Sequence, residues 1–248
     1  QILGDFLNWG LLGALTVQVY LYHITFSKDS VGLRVFVYVT YALELAQTIL
    51  TMAESTFDKF VYKFGDVGNA VQLHITWLTV PVMCGIVAAA VQIFYARRIW
   101  VLSRSNFLAA VVIILALMQG STGVATGVVV GTAIWIWLAG SAAVDVIIAI
   151  SMTILLLRTK SGIRHSDSMV NALVRLVIES GVLTATIAIV TIVLYAALPG
   201  TSYYTCPSAV LAKLYANTMI TSLNNRAYIP RSTNYISASC GGSDAMTA

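Results

Sequence analysis

The amino-acid sequence predicts an all-α integral membrane bundle of seven transmembrane helices, with the N-terminus outside and the C-terminus cytoplasmic. Three observations carry this expectation. Hydrophobic residues make up 58% of the 248 and charged residues only 10%, where an average soluble domain has about 25% charged. The polar side chains of such a chain are too few to cover the surface of a soluble fold. Apolar runs of about 20 residues, the length needed to cross a bilayer, recur along the chain. Basic residues gather on alternate connections.

The apolar runs fall at 6–26, 34–55, 70–96, 107–129, 133–157, 169–197 and 203–224. Unpaired backbone groups are prohibitive in hydrocarbon, so each run is expected to be a helix. The ten-residue alternation of a membrane β-barrel is missing. The seventh run is the most polar, because it holds Lys213, Asn217 and Asn224. The connections after runs one, three and five, with the tail, carry Lys28, Arg34, Arg97, Arg98, Arg104, Arg158, Lys160, Arg164, Arg226 and Arg231. The opposite side carries Lys59 and Lys63. Cytoplasmic loops collect Lys and Arg, which places the N-terminus outside and supports an odd number of spans. Tyr20, Tyr22, Tyr95 and Trp100 stand near the inner ends of their runs, and Tyr203 and Tyr204 near an outer end, at headgroup depth.

Residues 1–226 are therefore expected to form the seven-helix domain. Residues 227–248, rich in Ser, Thr, Asn and Gly, form an expected disordered cytoplasmic tail. Residues 2–26 lack the basic start and cleavage pattern of a signal peptide. Cys84, Cys206 and Cys240 fall in different compartments, so no structural disulfide is expected. Pro81 is expected to kink the third helix. Gly120, Gly123 and Gly127 allow another helix close to the fourth. Ser166 or Ser168 is the expected cap of the sixth helix.

Charged side chains at bilayer depth cost roughly 2.5–3.5 kcal/mol each on insertion scales, and they usually face the bundle interior. Four such residues occur: Glu44, Asp145, Glu179 and Lys213. Each belongs to a stripe at helical spacing. Glu44 lines up with Thr48, Thr51 and Ser55, with Gln47 beside it. Ser141 stacks on Asp145. Asn171, Arg175 and Glu179 are four apart, as are Lys213, Asn217 and Thr221, with Asn224 next. The candidate ligand-binding core is thus Glu44, Asp145, Glu179, Lys213 and Asn217, with Lys213 paired to Glu44 or Asp145. The structural alternative is that these groups only fasten helices together, with Arg175–Glu179 a local pair. His74 in the third run is better explained by packing than by metal binding, since no second ligand is near in sequence. No metal or cofactor is expected.

Several stretches together resemble a known family. These are VQVYLYHITFSKD (17–29), VQIFYARRIWVLS (91–103), SGIRHSDSMVNALVRLVIESGVLTA (161–185) and LAKLYANTMITSLNNR (211–226). They are similar to the fungal seven-helix membrane proteins grouped under domain of unknown function 6534. Gly162, Arg164, Asp167, Asn171, Arg175, Gly181, Lys213, Tyr215, Asn217, Leu223 and Asn224 fit that pattern. His165 and Glu179 depart from it, which argues against Glu179 as a shared catalytic acid. The resemblance implies a seven-helix fold and membrane residence, and it supplies no activity.

Four functions compete. A receptor-like or small-molecule-binding role fits the topology and polar core, though no Asp-Arg-Tyr follows the third run and no Asn-Pro-x-x-Tyr occurs in the seventh. A terpene-cyclase-like enzyme acting on a lipid or isoprenoid would use Glu44 and Asp145 as acid and partner, but the Asp-rich and His-box motifs are missing. A proton-linked transporter would use the same acids without evident inverted repeats. A retinal protein would attach at Lys213, and its third run lacks a carboxylate. The binding role leads, with enzymatic activity not expected. Membrane lipid and a small hydrophobic or amphipathic ligand are the expected partners, and nucleic acid is not. Plasma and internal membranes fit equally.

Overall fold

The computed structural model describes residues 2–53, 78–128, 132–158, 164–198, 201 and 203–227. Among these, all regular structure is helical. The helices are α1 (Ile2–Thr25), α2 (Val31–Met52), α3 (Met83–Ser103), α4 (Asn106–Val128), α5 (Thr132–Arg158), α6 (Arg164–Ala197) and α7 (Thr205–Asn224). A π-helical stretch, Leu78–Val82, leads into α3, and a 3₁₀ turn, Asn225–Ala227, follows α7. Successive helices pack side by side, and α7 closes the bundle against α1 while also meeting α2, α3 and α6.

Five stretches are long and apolar enough to cross a membrane: Val31–Met52, Val80–Ser103, Asn106–Thr126, Ala133–Arg158 and Val170–Ala197. Their outer faces display large apolar side chains such as Val35, Ile114, Ile150, Val182 and Ile189. Burial runs the other way on α7, where Lys213, Asn217, Ser208 and Ser222 are all buried. The most polar of the helices is thus the one surrounded by the others. A bundle dissolved in hydrocarbon gains nothing by hiding Leu and Ile, but gains by pairing its polar groups inside.

Small residues set the closest approaches. A Cβ on Gly85 would meet Gly120 O and Gly123 Cα at 3.4 Å, and one on Gly123 would lie 3.0 Å from Pro81 O. A methyl on Gly85 would only just fit and one on Gly123 would crowd the Pro81 carbonyl, so α3 and α4 approach backbone to backbone. Pro81 sits within the π-helical stretch, a local widening that accommodates the missing N–H. Between α3 and α4 the chain turns in two residues. Arg104 takes φ 51 there and donates its N–H to Trp100 O at 3.0 Å.

Several boundaries differ from those expected. Helix α3 continues to Ser103, seven residues beyond the predicted 96, because Arg98 turns inward and donates to Ser222 Oγ at 2.6 Å. Helix α6 begins at Arg164, not 169, which places Ser166 and Ser168 inside its first turns instead of at the cap. Helix α1 begins by Ile2. Tyr20 and Trp100 are exposed as expected of interfacial rings, but Tyr22 and Tyr95 are buried. The Tyr22 hydroxyl donates to Asp29 Oδ2 at 3.0 Å, and Arg226 holds the same oxygen at 2.7 Å. This clamp ties the α1–α2 connection to the end of α7, with the guanidinium 4.7 Å above the Phe26 ring. His74, Ser55, Lys59, Lys63, Cys240 and the tail from 228 lie outside the described residues.

Candidate functional site

Two polar clusters occupy the bundle interior, on opposite faces of α7. The first joins Lys213 to α2. The Lys213 ammonium donates to the Glu44 carboxylate, to Glu44 O at 2.8 Å and to Gln47 Oε1 at 3.1 Å. An ammonium has three protons, and each has an acceptor. Lys213 and Glu44 are both fully buried. Thr48 Oγ1 donates to Glu44 O at 2.9 Å. Asn217 sits one turn on and donates from Nδ2 to Lys213 O at 2.8 Å and to Leu11 O of α1 at 3.2 Å. Asn224 repeats this with Gln18 O at 2.9 Å. The stripe of α7 is therefore a row of fasteners to α1 and α2.

The second cluster centres on Asp145. Tyr215 Oη donates to Asp145 Oδ2 at 2.6 Å, and the Ser141 hydroxyl lies 2.7 Å from the same phenol. Since the phenolic proton is committed to Asp145, Ser141 supplies the proton between them. Gln92 Nε2 approaches Asp145 Oδ1 at a long 3.4 Å. The cluster opens onto a cavity of about 30 Å³, also lined by Tyr95, Ser180, Thr184 and Thr218. That volume admits roughly one or two water-sized groups. Gln92 Oε1 of its lining is buried without a hydrogen-bond partner, and Tyr95 Oη faces only the Thr218 and Ser222 hydroxyls. Among the described residues Asp145 makes no ion pair.

The structure thus separates the five predicted core residues. Glu44, Lys213 and Asn217 come together, and Asp145 stands in the other cluster. Glu179 is not in the core. It pairs with Arg175 at 2.6 Å on the outer surface, where the two side chains are 62% and 80% exposed. The inward face of α6 is instead Val177, Thr184, Ala188 and Thr191. The Asn171–Arg175–Glu179 stripe has helical spacing, but it lies on the other side of α6. Gln92, Tyr95 and Tyr215 were not foreseen as site residues. Gln92 carries the same signal as Glu44, a polar group inside an apolar run, and attention to formal charge passed over it. Among the described residues no three His, Cys, Asp or Glu side chains converge.

The long apolar helices and the polar interior define a multi-pass α-helical membrane protein. Residues 141–228 match the model of a family of unknown function, DUF6534. The matched stretch contains Asp145, Lys213, Tyr215 and Asn217, so both clusters draw residues from it. No curated protein and no solved structure matches the chain.

Proposed function

We propose that this is a receptor-like, small-molecule-binding membrane protein whose ligand site is the Asp145 cavity. The observation that carries the reading is the contrast between the two clusters. Every proton of Lys213 is already accepted, so that pair is a fastener. Glu44 Oε1 and Asn217 Oδ1 also lack hydrogen-bond partners, so what distinguishes the Asp145 cluster is a carboxylate without a cation and free volume beside it. A polar ligand group entering that volume would meet Asp145 Oδ1 and Gln92 Oε1.

In this reading all seven helices cross the bilayer, with the N-terminus outside and the C-terminus cytoplasmic. Helix α1 has 24 residues and α7 has 20, which at 1.5 Å per residue gives about 36 and 30 Å, enough for a hydrocarbon core of about 30 Å. The polar character of α7 is no obstacle, because its neighbours shield it from lipid. The placement of basic residues supports the orientation, and the resemblance to fungal seven-helix proteins supports the count. An enzyme acting on a lipid would use the same cavity, with Asp145 as its acid.

The test is co-purification. Wild-type protein, Asp145→Asn and the double variant Glu44→Gln/Lys213→Met are isolated with native lipids, and small molecules are quantified by mass spectrometry. A molecule held near one per chain by wild type and the double variant, and lost from Asp145→Asn, is the expected result. Equal content in wild type and Asp145→Asn refutes the proposal.

A further inference from the structure

A second opening lies directly outside the Asp145 cavity. A groove of about 480 Å³ runs between α5 and α6 on the outer face of the bundle, lined by side chains including Ile150, Ile154, Val182 and Ile189. It is almost wholly apolar and lies within two of the stretches able to cross a membrane. From Val146 to Ile154 on α5 it covers about 12 Å, the reach of a medium hydrocarbon chain. Its volume falls within the roughly 300–1,000 Å³ usual for ligand sites.

Groove and cavity share two wall residues, Ala149 and Gly181. A Cβ built on Gly181 would lie 3.1 Å from Ala149 Cβ and 3.7 Å from Asp145 O. The partition is thus a single methyl group against a glycine. Behind it stand Asp145, Gln92 and Tyr95; in front of it is hydrocarbon.

Resting on the reading of the Asp145 cavity as a ligand site, we infer that its ligand is a single-chain lipid amine that enters sideways from the bilayer, with its primary ammonium against Asp145 and Gln92 and its tail in the α5–α6 groove. The head group follows from the lining. Asp145 Oδ1 has the Gln92 amide at a long 3.4 Å, with the Thr184 hydroxyl beside the carboxylate, and Gln92 Oε1 has no donor. A primary ammonium brings three donors and the missing positive charge, whereas an alcohol brings one donor and no charge. A fatty acid would set an anion beside a carboxylate. A quaternary ammonium is too large for about 30 Å³. The single tail follows from the single groove that shares a wall with the cavity.

The test uses the full chain in phosphatidylcholine nanodiscs with dodecylamine carrying a mid-chain diazirine. Photolabelled residues are mapped by peptide mass spectrometry. Labelling is expected on Ile150–Ile154 and Val182–Ile189. Excess dodecylamine is expected to suppress it, and dodecanol to compete about tenfold or more weakly, as for loss of a charge-assisted hydrogen bond. Asp145→Asn, nearly isosteric, and Ala185→Trp, which fills the groove from a half-buried position, both abolish it. Labelling spread over all outer faces, equal competition by dodecanol, or persistence in Asp145→Asn overturns the inference. Should the co-purified molecule depend on Asp145 yet lack an amine, or survive Ala185→Trp, this inference fails while the cavity remains a ligand site. Should co-purification ignore Asp145→Asn, the site itself fails.

Discussion

Removing Lys213 alone is the sharpest perturbation of the first cluster. In Lys213→Met the long side chain keeps its volume, but Glu44 is left as a fully buried charge without its cation. Two magnitudes compete. Interhelical hydrogen bonds in bilayers average about 0.6 kcal/mol, because the unfolded chain in lipid also finds partners. Breaking a buried ion pair by deleting one partner costs about 3–5 kcal/mol. The second governs here, since three bonds and a full charge are lost together and neither group reaches the surface. Lys213→Met and Glu44→Gln are each expected to cost about 3–5 kcal/mol. The double variant removes both charges and should recover most of that loss, giving a coupling energy of about 3 kcal/mol or more. Reversible unfolding in mixed micelles, followed by helix content against denaturing detergent, measures all three. A single-variant cost below about 1 kcal/mol, or additive costs in the double variant, would refute the fastener reading.

Other expectations are smaller in scope. Arg104→Gly relieves the left-handed conformation at φ 51 and should stabilise the α3–α4 turn by about 1 kcal/mol, seen as a raised melting temperature. Glu179→Gln removes a pair on the outer surface; neither melting temperature nor ligand content should change, and a clear loss of either would return Glu179 to the core argument. Tyr215→Phe deletes the 2.6 Å donor to Asp145 and strands Ser141. It should cost about 1.5–3 kcal/mol of stability in the same unfolding assay, as for a hydrogen bond to a charged group. An unchanged midpoint would mean that the phenol does not hold Asp145.

How far the sequence reveals this arrangement depends on what each residue type reports. Hydropathy located the helices because lipid demands unbroken apolar runs. It ranked α7 last for the same reason that α7 is innermost. Charge at bilayer depth pointed to Glu44, Asp145 and Lys213, since such groups have few places to go. The same criterion misplaced Glu179, because a charge midway along α6 can sit outward beside Arg175 as readily as inward. Periodicity says which residues share a face, and only packing says where that face points. The choice of Glu44 over Asp145 as partner of Lys213 was equally hidden, as it depends on how α7 is turned relative to α2 and α5. Gln92 and Tyr95 carry no charge, and their importance lies in what they do not bond, which only three-dimensional contacts reveal.

The rotation of α7 also explains why two clusters coexist without merging. Lys213 and Tyr215 are two residues apart, about 200° around the helix, so their side chains leave on nearly opposite sides. One meets α2 and the other meets α5. Fastening α7 to α1 and α2 fixes the angle at which Tyr215 reaches Asp145. That fastening is shared with Asn217 and Asn224, so the cavity does not depend on the buried ion pair alone. The anchored helix presents the phenol, which takes one oxygen of Asp145, while the other meets the Gln92 amide at a long 3.4 Å. A ligand that pulled Asp145 away from Tyr215 would work against a helix anchored along its other face by Lys213, Asn217 and Asn224. Movement of α7 would also have to break the Arg226–Asp29 clamp at its end.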